Sequence, residues 1–292
     1  MKRTHKFLAL FLALTGMVVA QRFFGGEGGY ISDDTKAPRE VASHSTGTPM
    51  WSNPKAFERD VFTFTRIRYS SGGGGFGRGR GGGGGGGGSW ATDTPDSDLN
   101  LSYRLQQMTS MKVNPDGRYI RLTDPDLVDY PFVYIVEPGR LYFQENEVTA
   151  LRKYLLNGGF LMLDDFWGDS AWANVERELK KVFPDRSFKE LSLDHPIYHC
   201  VFEIKAKGQV PGIRFWDGSG GETAEYHDGD TRTVHHRAIF DDKGRMMVIA
   251  MHNTDNGDGW EREGENTQYF LNFSEKTAYP LGINVIFYVM TH

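Results

Sequence analysis

Two continuous apolar segments alternate with two helical patterns between residues 131 and 183, and this order constrains the fold more than any other feature. PFVYIV (131–136) precedes a helical pattern over 144–159, and GFLMLDD (159–165) precedes a second one over 170–183. Short apolar runs of this kind are typical of strands buried in a parallel sheet. Strands that alternate with helices predict βαβ units, whose right-handed crossovers place helices on both faces. The predicted fold class is therefore α/β, with a three-layer, mostly parallel sheet flanked by helices.

Further segments extend this alternation along the chain. Four more strands are predicted, at VFTFTRIR (61–68), RYIRL (118–122), FKEL (188–191) and RMMVIAM (245–251). Residues 90–110 predict a helix that Asp96 or Ser97 can cap. LGINVIFYVM (281–290) is apolar on all sides and predicts a buried terminal helix, which Pro280 can start.

Residues 1–20 have the features of a secretory signal peptide. Lys2, Arg3 and Lys6 form a charged start, and the apolar segment 7–20 is too short for an ordinary membrane-spanning helix. Small residues precede the expected cleavage point, and no cysteine follows it for a lipid anchor. We therefore expect an exported protein, periplasmic or extracellular. An uncleaved signal sequence is the alternative, and it would be the only contact with a membrane.

Composition divides the rest of the chain into a lead-in and one domain. Residues 21–60 are rich in Gly, Ser, Thr, Pro and charge and predict a flexible segment, so the folded domain is placed at 61–292. The glycine-rich tract at 70–89 predicts a disordered insertion in that domain. The tract matches the dinucleotide-binding pattern G-x-G-x-x-G, but a run of glycines matches any glycine motif.

The charge of the chain excludes one class of partner. The formal net charge is −5, and removing Lys2, Arg3 and Lys6 with the signal sequence leaves 30 basic against 38 acidic residues, or −8. Nucleic-acid binding needs a basic surface, so no nucleic-acid partner is expected. The single cysteine, Cys200, can form no disulfide within the chain, so the hydrophobic core must supply the stability.

Polar side chains follow five of the predicted strands, at the end where parallel sheets bind ligands. The candidate ligand-binding residues in these loops are Asp93, Asp96, Asp98, Glu137, Arg140, Asp164, Asp165, Trp167, His195 and His252. One such loop would prove little, but five of them predict a concave polar site.

Part of this set also has the chemistry of a metal site. The metal candidates are Asp164, Asp165, His195 and His199. The two histidines have the H-x-x-x-H spacing that suits zinc on a helix, but Pro196 stands between them. Alternatively, the two aspartates cap the next helix or hold loop amides. The segment NTDNGDGWE (253–261) departs from the calcium-loop pattern, because Asp258 stands where that loop needs glycine, and turn chemistry accounts for it. The sequence requires no cofactor.

Long phrases of this sequence closely resemble a bacterial family catalogued as domain of unknown function 4159. They are VNPDGRYIRLTDPDLVDYPFVYIVEPGRLYF (113–143), LRKYLLNGGFLMLDDFWGDSAW (151–172), VFPDRSFKELSLDHPIYHC (182–200) and LGINVIFYVMTH (281–292). The resemblance runs from about Val61 to His292. It implies a flavodoxin-like fold of the class I glutamine amidotransferase type, and the trehalose-utilisation (ThuA-like) proteins carry similar phrases. It implies no activity, because the family is uncharacterised.

The resemblance also bears on glutamine hydrolysis. In amidotransferases a strand of this type leads into a tight elbow that carries the nucleophilic cysteine, and here Asp164 and Asp165 stand at that place. A carboxylate cannot replace the thiolate nucleophile. Cys200 lies in another loop, so no glutamine amidotransferase activity is expected.

Three functions from different classes remain open. The first is a non-catalytic ligand-binding module, in which Trp167 and the acids suit a glycan or another small molecule. The second is a metal-dependent hydrolase that uses the Asp164/Asp165 and His195/His199 region. The third is a structural partner in an exported complex, with the glycine tract as a tether.

Overall fold

A seven-stranded sheet forms the centre of the protein in the computed structural model, which describes residues 31–57, 60–71 and 89–292. The strands are β1 (Thr65–Ile67), β2 (Ser70–Ser71), β3 (Arg118–Ile120), β4 (Phe132–Val136), β5 (Leu141–Tyr142), β6 (Phe160–Phe166), β7 (Lys189–Glu190), β8 (His235–Phe240) and β9 (Met246–His252). The order across the main sheet is β3-β1-β4-β6-β9-β8-β7. Strands β2 and β5 form a separate two-stranded sheet.

Five strands of the main sheet, β3, β1, β4, β6 and β9, run parallel to one another. Strand β8 runs antiparallel to both of its neighbours, β9 and β7. The carboxyl ends of the five parallel strands therefore meet at one edge of the sheet, which we call the carboxyl edge.

The helices lie between and after these strands. They are α1 (Asp96–Met108), α2 (Glu145–Leu156), α3 (Gly168–Val182), α4 (Ile213–Ser219), α5 (Asn256–Glu261), α6 (Thr267–Tyr269) and α7 (Tyr279–Thr291). Short 3-10 turns occupy Pro38–Glu40, Lys55–Phe57, Ser89–Ala91, Pro125–Asp129, Pro138–Arg140 and Pro196–Tyr198. At the start of helix α2 the Gln144 amide donates to the Glu147 carboxylate at 2.9 Å, which is one half of a capping box.

Alternate residues of the central strands pack into two separate hydrophobic cores. In β4, Phe132 and Tyr134 join the core that contains residues of α1 and α7, whereas Val133 and Ile135 join the core that contains residues of α2 and α3. Strand residues point to opposite faces in turn, so the sheet is the middle layer of three. The predicted three-layer α/β fold with a mostly parallel sheet is confirmed.

The predicted terminal helix is also confirmed, but the helical segment starts earlier than Pro280. Helix α7 continues without a break from α6 through a π-helix at Phe270–Ala278. Pro280 therefore lies within a longer helical segment. A proline has no N–H for the α-helical bond to residue 276, and the π-helix directly before it replaces the regular α-helical bonding there.

The predicted helix starts are wrong in detail. Helix α1 begins at Asp96 without a side-chain cap, because the Asp96 carboxylate accepts instead from Ser43 Oγ at 2.5 Å and from the His44 amide at 2.9 Å. Helix α3 begins at Gly168, two residues before the predicted start at residue 170. The Ser170 amide and hydroxyl both donate to Asp228.

Residues 31–57 carry little regular structure but contact the edge of the sheet. The Tyr119 amide donates to the Lys36 carbonyl at 2.7 Å, and the Arg39 guanidinium donates to the Pro115 carbonyl. The predicted signal peptide at 1–20, the first part of segment 21–60 and most of the tract at 70–89 lie outside the described residues. Within the described part of the chain, every helix is too short or too polar to cross a bilayer.

Candidate functional site

A cleft of about 930 Å³ opens at the carboxyl edge, over the ends of β4, β6 and β9. Eight carboxylates line it, from Asp93, Glu137, Asp165, Glu225, Asp228, Asp255, Asp258 and Glu261. Three guanidinium groups line it as well, from Arg140, Arg214 and Arg262. The acids outnumber the arginines, so the cleft would carry a strongly negative charge with all of its acids ionised.

The backbone turns into the left-handed region at four points along this edge. Among the described residues, the non-glycine residues with positive φ are Asp93 (63°), Glu137 (48°), Asp165 (55°) and Asn253 (63°). Such conformations cost on the order of 1–3 kcal/mol each and cluster at functional sites. Three of the four carry carboxylates that line the cleft, so the backbone strain is concentrated where the acids gather.

Asp165 presents its carboxylate to the cleft near the end of β6. The Trp167 indole N–H donates to Asp165 Oδ1 at 3.1 Å, and the His227 ring stacks on that indole. Trp167 is only 4% exposed, so its contribution is to hold the Asp165 side chain in place. Burial raises the pKa of Asp165 well above its usual range, and the charge of Glu137 adds to the rise.

Asp164 is fully buried and connects β6 to α5. Its Oδ2 accepts from the Tyr134 hydroxyl at 3.0 Å and the Gly257 amide at 3.1 Å, and its Oδ1 accepts from Asn256 Nδ2 at 2.8 Å. Burial raises the pKa of Asp164 to about 6, while these hydrogen bonds hold it down. Asp164 therefore holds a backbone amide in the first turn of α5, and Asp165 alone of the two faces the cleft.

Asp93 lies in the turn before α1, and one of its oxygens is unusual. Oδ2 is buried and has no hydrogen-bond partner among the described residues. Gly257 leaves room for it, since a Cβ at that position would lie 2.3 Å from Oδ2. Burial raises the pKa of Asp93 well above its usual range, and the charge of Asp258 adds to the rise. A buried carboxylate oxygen without a partner is costly unless a proton or a cation reaches it.

Three further carboxylates come from the loop and helix after β9 and were not among the candidates: Asp255, Asp258 and Glu261. Asp255 Oδ1 caps α5 by accepting from the Asp258 amide at 2.8 Å, and Asp258 Oδ2 accepts from the Ile213 amide. These hydrogen bonds are those of a turn, as expected for residues 253–261. They do not explain why three acids lie together. Their position directly after a parallel strand was the signal that could have identified them.

The acids form two overlapping triads with the spacing of metal ligands. Ligand atoms of Asp93, Asp165 and Asp255, the first triad, all lie within 4.8 Å of one another. The second triad comprises Asp93, Asp258 and Glu261, whose ligand atoms also lie within 4.8 Å of one another. Oxygens on opposite sides of one ion lie roughly 4.0 Å apart around Mg²⁺ and up to roughly 5.2 Å apart around Ca²⁺. Either triad can therefore surround one divalent cation.

Burial, and after it the charge of neighbouring acids, disfavours ionisation of the first triad. Burial raises the pKa of Asp255 well above its usual range, and the charge of Asp165 adds to the rise. All three acids of this triad thus hold protons more readily than carboxyls in water do. The nearby Arg66 is fully buried and donates to both oxygens of Asp98, so its charge is already shared.

Three of the predicted site residues hold the scaffold around the cleft. Asp96 binds Ser43 and His44, and Asp98 binds Arg66. His252 stacks on Phe166 with ring centroids 5.0 Å apart and donates from Nε2 to the Gly168 carbonyl at 3.0 Å. Burial lowers the pKa of His252 to about 4, so it is neutral near pH 7. Glu137, Arg140, Asp165 and Trp167 line the cleft, as does Asp93.

The structure does not bring His195 and His199 to the aspartates. His195 contacts the rings of Phe240 and Tyr288, and Phe240 ends β8 at the edge opposite the cleft. His199 donates from Nε2 to the Leu193 carbonyl. Strand β7 is the outermost strand, two places from β9, so the loop after it does not reach the centre of the carboxyl edge.

Cys200 also lies away from the cleft. Its Sγ lies 3.2 Å from the Asn284 carbonyl, and burial raises the pKa of the thiol. A thiol with a raised pKa is a poor nucleophile.

The fold and the site together define a three-layer α/β protein with a carboxylate-rich cleft at the carboxyl edge of its parallel strands. Residues 63–290 match the family model described as Domain of unknown function (DUF4159), and the chain belongs to this family. A search of curated proteins found no match.

Proposed function

We propose that this protein binds a divalent cation at the first triad, and that the cation is the centre of a ligand-binding cleft. The observation that carries the proposal is Asp93 Oδ2, which is buried without a hydrogen-bond partner beside the carboxylates of Asp165 and Asp255. Three carboxylates at this spacing, one of them buried and two half-buried, repel one another when they are ionised. A bound cation would offset the repulsion and supply the missing partner of Oδ2.

The donor atoms favour a hard cation. The first triad offers carboxylate oxygens only, and such sets suit Ca²⁺, Mg²⁺ or Mn²⁺. Zinc would favour histidine or cysteine ligands, and His195 and His199 lie elsewhere.

Three protein ligands leave further coordination positions on such a cation. These positions can take water or oxygen atoms of a ligand in the cleft, which supports a binding module for a small molecule or a glycan. Arg140 lines the same cleft and would favour a ligand that also carries an anionic group.

Metal-assisted hydrolysis is the second candidate function. The same open positions favour it, because a cation lowers the pKa of a bound water and polarises a substrate oxygen. In this second candidate function the first triad would hold the cation, in place of the residues predicted from the sequence, Asp164, His195 and His199. Asp164 already accepts three hydrogen bonds.

We also propose that the fold is of the amidotransferase type and that the protein is exported through residues 1–20. The left-handed φ of 55° at Asp165, near the end of β6 and three residues before the start of α3, supports a tight strand-to-helix elbow that carries a carboxylate. Glutamine hydrolysis is not expected from such an elbow. Release of ammonia from glutamine that Cys200→Ala abolishes would contradict this expectation.

The test of the cation proposal is direct. The purified chain is stripped of metal with a chelator and titrated calorimetrically with Ca²⁺, Mg²⁺ and Mn²⁺, alongside Asp165→Asn and the control Asp169→Asn. Asp169 is exposed at the start of α3 and belongs to neither triad. We expect saturable binding that Asp165→Asn abolishes and Asp169→Asn retains. A folded wild-type chain that binds none of the three cations would refute the proposal.

A further inference from the structure

We propose that the cleft binds a second divalent cation at the second triad, so that Asp93 bridges two ions; this inference rests on the proposed function. Asp93 belongs to both triads, and each triad has ligand atoms within 4.8 Å of one another. A carboxylate has two oxygens and can ligate two ions at once. Two-cation centres hold their ions about 3.5–4 Å apart.

Two members of the second triad are buried, and the third, Asp93, is half-buried. Glu261 is 2% exposed and Asp258 is 8% exposed, and both belong to α5. Their ligand oxygens lie within 4.8 Å of each other. Two ionised carboxylates this close repel each other, and a proton or a cation offsets the repulsion.

One positive side chain already contacts this triad, and it does not balance the charge. Arg262 Nε lies 2.6 Å from Glu261 Oε2 and 3.9 Å from Asp258 Oδ1. The same guanidinium also contacts Glu265 at 3.2 Å. With all three acids ionised, the carboxylates and the one shared guanidinium would carry a net charge of about −2, which one divalent cation would neutralise.

The unpartnered Asp93 oxygen points to an ion on the α5 side of the cleft. Oδ2 lies against Gly257, the second residue of α5, where a Cβ would approach it to 2.3 Å. Asp255 Oδ1, from the first triad, lies 3.4 Å from the same Cβ position, so Asp93 Oδ2 lies between α5 and the first triad's oxygens. The described residues provide no hydrogen-bond donor to Oδ2.

The experiment counts ions and measures the coupling between them. The metal-free chain is equilibrated with Mn²⁺, the bound metal is determined by elemental analysis, and the electron paramagnetic resonance spectrum is recorded. We expect two Mn²⁺ per chain with the spectrum of a spin-coupled pair. Glu261→Gln should retain one Mn²⁺ with an uncoupled spectrum, Asp93→Asn should lose both, and Glu265→Gln should retain the coupled pair.

Other outcomes separate the two proposals. A wild-type chain that binds only one Mn²⁺ would overturn the second site. If Glu261→Gln keeps that ion and Asp165→Asn loses it, the proposed function remains intact. Two uncoupled ions would also overturn it, because the second ion would lie elsewhere. No bound Mn²⁺ would overturn both proposals. If circular dichroism shows that Glu261→Gln does not fold, Asp258→Asn serves as the second variant, with the same expected loss of one ion.

Discussion

At the scale of single residues, Asp164 and Asp165 show how adjacent acids take different roles. Asp164 keeps three hydrogen bonds beneath the cleft, and Asp165 receives one from Trp167 and faces the other acids. Adjacent strand residues point to opposite faces, and the left-handed φ of Asp165 alters its direction further. A substitution at Asp165 therefore tests the site with little effect on the scaffold.

Asp165→Asn should stabilise the metal-free protein while it abolishes cation binding. The change removes one buried negative charge from a group of like charges, so the melting temperature in the presence of a chelator should rise by at least about 2 °C, the shift that about 1 kcal/mol produces in a domain of this size. Differential scanning calorimetry with a chelator and with Ca²⁺ measures both effects. A melting temperature that falls in the chelator would show that the Asp165 carboxylate supports the fold.

Trp167→Phe should weaken cation binding without preventing it. Phenylalanine keeps a buried ring beside His227 but loses the N–H that orients Asp165 Oδ1. Loss of one such hydrogen bond corresponds to about 1 kcal/mol, or roughly a fivefold weaker affinity. Calorimetric titration measures it, and Trp172→Phe is the matched control, because Trp172 stacks on Phe166 away from Asp165. Equal affinities in Trp167→Phe and wild type would remove Trp167 from the site.

At the scale of elements, the six-residue helix α5 supplies much of the cleft. It carries Asp258 and Glu261, and its second residue, Gly257, donates its amide to Asp164 and leaves space for Asp93. A short helix of this kind owes its position to its contacts, because isolated helices of this length are unstable in water. In the chain, α5 follows the loop after β9 and precedes α6 and the π-helix.

Gly257→Ala should lower both cation affinity and stability. The added methyl group would lie 2.3 Å from Asp93 Oδ2, so the carboxylate must move. We expect at least roughly a tenfold loss of affinity and a loss of about 1–3 kcal/mol in the free energy of unfolding, as in other overpacked sites. Gly218→Ala in α4 is the control, because open space surrounds that position and alanine favours a helix. Titration and chemical denaturation compare the two variants.

The elements that could be predicted from the sequence are those with long apolar runs. Continuous or periodic apolar faces are buried by strands β4, β6 and β9 and by helices α2 and α3. Such patterns can be recognised from the sequence without knowledge of the tertiary contacts. Helices α4 and α5 contain IRFWDGS and NGDGWE, where glycine and acids obscure any period. Their helical form depends on packing. The candidate residues Asp93, Glu137 and Asp165 could be predicted because each follows or ends a strand that the apolar pattern identifies. The positions of Asp255, Asp258 and Glu261 depend on α5, which the pattern does not identify.

At the scale of the whole molecule, the cleft makes folding stability depend on pH. The folded state raises the pKa of Asp93, Asp165 and Asp255, mainly through burial. Between the ordinary pKa of an aspartate, about 3.8–3.9, and these raised values, the folded state binds more protons than the unfolded state. The contribution of these acids to stability is therefore lost as the pH rises through their folded-state pKa values.

The metal-free protein should accordingly lose stability as the pH rises from 5 to 8.5, and the stabilisation by Ca²⁺ should grow over the same interval. A cation replaces the protons, so its affinity increases as they leave. Melting temperatures at several pH values, with chelator and with Ca²⁺, measure both trends. Asp165→Asn should flatten the pH dependence in the chelator. The same slope in wild type and variant would assign the pH dependence to groups outside the cleft.

The two outermost strands of the main sheet affect whether copies of this protein can associate by strand pairing. At one margin, β7 comprises only Lys189 and Glu190, both exposed and charged. At the other margin, the Tyr119 amide of β3 already donates to Lys36. A short charged strand and a covered strand leave few backbone groups available for pairing with a neighbouring molecule. Strand-by-strand polymerisation through these two margins is therefore disfavoured.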